Sequence, residues 1–272
     1  MPTLPRETPG PPAPEAHKAR RMAESFGADA AGYDRARPRY PNALLARIVE
    51  ESPGLDVLDV GCGTGIAARQ LQAAGCTVLG VEPDARMADF ARAHGVPVEV
   101  ATFEEWKPEG RAFDAVVAAQ SWHWVDPVAG PAKAADVLRP SGRLAIFGHM
   151  FEPPAPVAEA LAAALRQVLP DSPFGDLPAR RPVEFYQAGY ARIADGLRAS
   201  GRFGEPEQWQ FEWEQPFTRE EWLALLPTTG GLTRLDAEQL TTILDAVGSA
   251  IDGLGGSFTM QWVTLAATAV RS

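Results

Sequence analysis

The strongest constraint on this chain is a short apolar stretch, Asp56–Val60 (DVLDV), that runs directly into Gly61–Gly65 (GCGTG) and then into residues that favour helix as far as Ala74. Glycines at 61, 63 and 65 permit a tight turn from strand to helix, and their missing side chains let a ligand lie against the backbone. A second apolar strand, TVLGV, ends at Glu82, 21 residues after Gly61. A carboxylate at that place can accept both hydroxyls of a ribose, so the pair of features suits an adenosine-containing cofactor.

The pattern around this unit is repeated. A helix at Ala85–His94, a strand at Val96–Val100, a strand at Asp114–Ala119, a helix after Pro131 and a strand RLAIFGH closing near Met150 follow in order. Strands alternating with helices predict parallel βαβ units with right-handed crossovers. Upstream, a helix is expected from Pro41 to Glu51. Beyond Met150 the chain offers helices at Ala155–Leu169 and Val183–Ala199 separated by the turn-rich DSPFGDLPARRP. Next come a strand at Gln208–Gln215, a helix opened by Thr218, a helix at Asp236–Asp252 and a strand at Ser257–Val270. The expected division is a proline-rich tail over 1–15, a cofactor-binding α/β core over 16–150, a helical cap inserted over 151–204, and the rest of the core over 205–272.

Several function classes are disfavoured. A dinucleotide fingerprint needs glycine at the sixth position of the loop, where this chain has Ile66, and a P-loop needs a Gly-Lys-Ser/Thr that is missing. With 25 basic against 35 acidic residues the net charge is −10, which repels phosphate backbones and favours small molecules over nucleic acid. Two cysteines without CxxC spacing suit a reducing compartment. The absence of a secretory signal and of an 18-residue apolar run leads to the expectation of a cytoplasmic, non-membrane protein. The four histidines are isolated in sequence, so no metal site is expected.

VLDVGCGTG followed by VLGVEPD resembles the class I S-adenosylmethionine-dependent methyltransferases, and the likeness extends over most of Ala23–Arg271. It implies a Rossmann-like, mostly parallel seven-stranded α/β sheet with the last strand inserted antiparallel, plus a helical cap. It also implies S-adenosyl-L-methionine as cofactor. On that resemblance Asp59, Gly61, Cys62, Gly63 and Gly65 lie along the methionine part, Glu82 holds the ribose, and Pro83 and Met87 flank the adenine. VATFEEW places Phe103 and Glu104 in the adenine-contacting loop. FDAVVAAQSWHWVD is similar to the fourth-strand region, with Gln120 beside the cofactor and Ser121, Trp122 and Trp124 leading to the acceptor. That stretch and FGADAAGYDRARPRYP resemble the small-molecule branch that includes trans-aconitate methyltransferases, where Tyr33, Arg37 and Tyr40 would fold over the cofactor.

Methyl transfer from a sulfonium needs alignment and exclusion of water more than it needs a catalytic side chain. A base helps where the acceptor oxygen still carries a proton, and His123 is the candidate, either as base or as a structural histidine. A carboxylate acceptor is already ionised and calls for arginine instead, with Arg180, Arg181, Arg192 and Arg198 as candidates. The expected activity is methyl transfer to a small molecule, with oxygen ahead of nitrogen or carbon. Two rivals stay open at this stage: a protein that binds the cofactor without transfer, and a methyltransferase of nucleic acid or protein.

Overall fold

The computed structural model describes residues 27–170, 183–229, 232–233 and 235–272. The expected tail, the residues up to Phe26, and the turn-rich stretch holding Arg180 and Arg181 lie outside the described residues. In chain order the elements are α1 (Ala30–Ala36), α2 (Asn42–Glu50), β1 (Asp56–Val60), α3 (Ile66–Ala73), β2 (Thr77–Glu82), α4 (Ala85–Ala93), β3 (Val98–Val100), β4 (Phe113–Ala119), α5 (Ala129–Val137) and β5 (Leu138–Glu152). They continue with α6 (Ala155–Val168), α7 (Val183–Ser200), β6 (Glu207–Thr218), α8 (Arg219–Leu225), α9 (Ala237–Asp252) and β7 (Ser257–Val270).

The strands form one seven-stranded sheet in the order β3-β2-β1-β4-β5-β7-β6. β3 to β5 are mutually parallel, and β7 is inserted antiparallel to both β5 and β6. This is the sheet expected from the sequence. Apolar side chains go to both faces because alternate residues of a strand point opposite ways. Val57, Ala115 and Val117 join the cluster under α2, α3 and α4, whereas Leu58, Val116 and Ala118 join that under α5 and α7. A strand clothed on both sides reads as a continuous apolar run, which is how β1 and β4 read.

The helices of the 151–204 stretch divide between two settings. α7 buries Ala194 and Leu197, and Leu197 belongs to a cluster of the sheet. α6 instead joins α8 and α9 in a third cluster, with Val157, Trp222, Ile243 and Val247 buried against Phe217, Phe258, Met260 and Trp262 of β6 and β7. α8 begins with a full capping box, Thr218 accepting from the Glu221 N–H while the Glu221 carboxylate accepts from the Thr218 N–H. β5, β6 and β7 are long, at 15, 12 and 14 residues, and extend past the parallel strands toward this cap. Among the described residues, no helix is long and apolar enough to cross a membrane.

Candidate functional site

Strand order reverses direction between β1 and β4, and the crevice outside the carboxyl ends of those strands is where such sheets bind ligands. There the loop after β1 turns on Gly61, at φ +65°. A Cβ at Gly61 would stand 2.5 Å from that of Ser121, so only glycine lets the loop after β4 approach so closely. The Gly61 N–H bonds the Val81 carbonyl at 2.8 Å, which ties the turn to β2. Gly63, at φ +55°, has nothing within 4 Å of where a side chain would begin. After β4, Gln120 takes φ +60°, a conformation that costs a non-glycine residue about 1–3 kcal/mol and tends to be kept at functional sites.

These loops floor a cavity of about 360 Å³. Its lining includes Tyr33, Arg37, Tyr40, Gly61, Cys62, Gly63, Glu82, Pro83, Met87, Phe103, Glu104, Gln120, Ser121 and Trp124, all singled out in the sequence. The N-terminal segment reaches the cavity through a polar dock on α3. The Tyr40 backbone exchanges two 2.9 Å hydrogen bonds with the Gln70 amide, and Asp34 pairs with Arg69 at 2.5 Å. Burial alone would raise the Asp34 pKa, but hydrogen bonds and charge from Arg69 bring it below the ordinary value. Arg37 donates to the Thr228 carbonyl beyond α8, tying the segment to the cap.

The floor is acidic. The Glu82 carboxylate accepts from Gly63 N–H at 2.8 Å and Asp84 N–H at 2.9 Å. Burial nevertheless raises its pKa to about 7. Asp59 is fully buried, and neither of its oxygens has a hydrogen-bonding partner of good geometry. Burial first, and the Glu82 charge second, lift its pKa to about 7, with the Ala68 N–H opposing only in part.

Four expected residues stand outside the lining. Asp59 pairs in register with Gly80 and Val117 within the sheet, behind the loop. Gly65 is the left-handed N-cap of α3. Trp122 is buried under the loop beside Phe103, their ring centroids 6.3 Å apart. His123 is exposed, its ring 4.6 Å from that of Trp124. Desolvation by the surrounding protein lowers its pKa. Arg192 and Arg198 are also exposed and outside the cavity, Arg198 pairing with Asp195 and Glu205.

Residues not singled out complete the opposite wall: His149, Phe151, Leu225, Thr229 and Trp262. For His149, Phe151 and Trp262 the signal that could have found them is a period-2 stripe. Phe147, His149 and Phe151 on β5 lie against Ala266, Thr264 and Trp262 on β7, and Phe211 and Trp213 on β6 lie across from Thr264 and Trp262. His149 stacks on Tyr40 at 4.4 Å and meets Trp213 and Trp262 edge-on. Its Nδ1 is 2.9 Å from Thr264 Oγ1, while its buried Nε2 has no partner.

A family model described as a methyltransferase domain matches residues 58–146, the span from β1 into β5. An uncharacterized methyltransferase of Mycobacterium bovis is 40% identical over 130 residues, covering 47% of this chain and 53% of that protein. A ubiquinone biosynthesis O-methyltransferase of Methylocella silvestris is 34% identical over 96 residues, covering 33% of this chain and 38% of that protein. The chain thus spans about half or less of the length of these relatives. A candidate type II methyltransferase from Anaeromyxobacter dehalogenans shares the fold, with a TM-score of 0.62 at 24% identity over 86% of this chain and 97% of that one. Residues 58–146 are thus similar to a methyltransferase domain, and the sheet order is that of a Rossmann-like class I methyltransferase fold with a helical cap.

Proposed function

We propose that the protein transfers the methyl group of S-adenosylmethionine to a small-molecule acceptor, at oxygen. The observation that carries this reading is one continuous cavity with a glycine-and-carboxylate floor at one end and an aromatic wall at the other. The residues fit the cofactor: Gly63 leaves open space at the backbone, Glu82 has acceptor capacity beyond its two N–H partners, and the unpartnered Asp59 carboxylate supplies negative charge behind the loop. When bound, the cofactor supplies an electrophilic methyl group on a sulfonium. In this reading Pro83, Met87, Phe103 and Glu104 enclose the adenine. Gly61, Cys62 and Gly63 lie along the amino-acid part, and Gln120 beside it. Tyr33, Arg37 and Tyr40 close over the cavity and exclude water, with Ser121 and Trp124 toward the acceptor. His123, on the rim beside Trp124, would orient the outer part of an acceptor. The core is then 16–150 with 205–272, and 151–204 supplies α6 to the cap.

Oxygen as the acceptor atom is supported by the name of the Methylocella relative, and a small acceptor by the enclosure of the cavity and the −10 charge. Calorimetric titration with S-adenosylmethionine and S-adenosylhomocysteine, with NAD as control, tests the reading. One-to-one binding of the first two and none of NAD is expected. Gly63→Arg fills the open space beside the loop and should abolish both. Unchanged affinity in that variant would sink the assignment.

A further inference from the structure

The wall of the cavity facing the glycine loop holds a polar chain inside an otherwise apolar stripe. Trp213 Nε1–H donates to Thr264 Oγ1 at 2.9 Å, and the same oxygen lies 2.9 Å from His149 Nδ1. Thr264 is fully buried. Its hydroxyl has one proton to give and has already accepted one from Trp213. Were Nδ1 protonated, the hydroxyl would accept twice and its own proton would be left buried without an acceptor, which is costly. The arrangement that satisfies all three groups has Thr264 donating to Nδ1, and this fixes the proton of the imidazole on Nε2. His149 lines the cavity, and its buried Nε2 has no partner.

We propose that His149 is the specificity-determining donor for the methyl acceptor, its Nε2–H hydrogen-bonding a carboxylate of a molecule whose apolar body lies against Phe151, Leu225 and Trp262. This deepens the methyltransferase reading and rests on it. A protonated Nε2 cannot serve as a base, so His149 cannot remove a proton from a phenol or alcohol. Of the lining carboxylates, Glu82 is engaged by Gly63 and Asp84, and Glu104 accepts from the Asp126 N–H at 2.8 Å. An acceptor that arrives already ionised needs neither. Burial first, and the charge of Arg37 second, disfavour imidazolium at His149, and Arg37, which also lines the cavity, favours an anion beside it. The Arg37 guanidinium can equally face the carboxylate of the cofactor, so a test must hold that contribution constant.

Protein saturated with S-adenosylhomocysteine does so. Phenylacetate and indole-3-acetate are titrated into it beside phenylacetamide and indole-3-acetamide. The acids should bind roughly tenfold more tightly than the matched amides, and His149→Phe, which keeps a flat ring in place, should reduce that preference to about twofold or less. Thr264→Val should weaken the preference without changing S-adenosylhomocysteine affinity. Equal binding of acids and amides, failure of both acids to bind, or survival of the preference in His149→Phe overturns the proposal. Independently of folding in the variants, ¹⁵N correlation spectra of the parent should show His149 neutral with its proton on Nε2 at pH 7; a proton on Nδ1 overturns it as well. Loss of S-adenosylhomocysteine binding in the parent would instead remove the methyltransferase reading, a distinct failure read before any acid is added.

Discussion

Glu82 and Asp59 share one electrostatic problem: burial opposes the ionisation of both, the Glu82 charge adds to it at Asp59, and the Asp84 charge adds to it at Glu82. Both pKa values are raised to about 7. A raised folded-state pKa means that their contribution to stability is fully present below the ordinary carboxylate value, about 4, and is lost as pH rises through 7. A ribose hydroxyl pair and a cationic amino acid favour the ionised forms. Binding of S-adenosylmethionine should therefore release protons near pH 6.5 and tighten from pH 5.5 to 7.5, then level off. Calorimetry in phosphate and in Tris, whose ionisation enthalpies differ, would read the release directly, and identical heats in the two buffers would contradict it. Glu82→Gln should weaken binding about ten- to hundredfold, as expected for hydrogen bonds to a charged group, and suppress part of the release. Glu82 was legible because its position depends on local chain geometry, a strand end at a fixed distance from a turn. Asp59 was legible as important, but its setting behind the loop depends on sheet register, which one strand does not reveal.

α1 shows what a short helix does when its own stability is slight. It has seven residues, an Asp29 cap on the Gly32 N–H, and little burial of its own. An isolated helix of that length is unstable in water, so its place is set by tertiary contacts. The Asp34–Arg69 pair, at 2.5 Å, is one of these, and Arg69 also donates to the Thr64 carbonyl at 2.6 Å beside the glycine loop. Asp34→Ala should speed hydrogen exchange over residues 30–40 while leaving β1 and β4 protected, and weaken S-adenosylhomocysteine binding about tenfold. Unchanged affinity with faster exchange would mean that α1 is a brace and not part of the binding surface. In the sequence this segment showed its aromatic and basic residues but not its helix. The same limit applied to His149: the alternation of Phe147, His149 and Phe151 was visible, but that it faces Thr264, Trp262 and Tyr40 follows only once β7 is inserted beside β5.

The division of apolar clusters gives the molecule two regions of different duty. The glycine loop, Glu82 and the parallel strands rest on the two clusters that clothe the sheet, whereas the aromatic wall leans on the third, where α6, α8 and α9 meet the ends of β6 and β7. Trp222 is the centre of that third cluster. It is fully buried, with ring centroids 5.4 Å from Phe151, 5.6 Å from Phe217 and 5.7 Å from Phe258. Its Nε1 has no hydrogen-bonding partner, so the ring acts through packing. Trp222→Ala should cost about 3–5 kcal/mol and lower Tm by roughly 10 °C, and Trp222→Phe, which keeps an aromatic and removes the orphaned donor, should cost much less. The functional consequence should be uneven. Phe151 is an acceptor-facing residue that Trp222 supports directly, while Gly61, Gly63 and Glu82 are held from elsewhere. Trp222→Ala should therefore retain S-adenosylhomocysteine affinity within about twofold below its Tm while losing roughly tenfold or more in binding of an acceptor-site probe such as phenylacetate. Parallel loss of both ligands in a single transition would show that cap and sheet fold as one cooperative unit, and that the third cluster, around Trp222 and Phe151, is not the seam along which this molecule separates cofactor binding from acceptor choice.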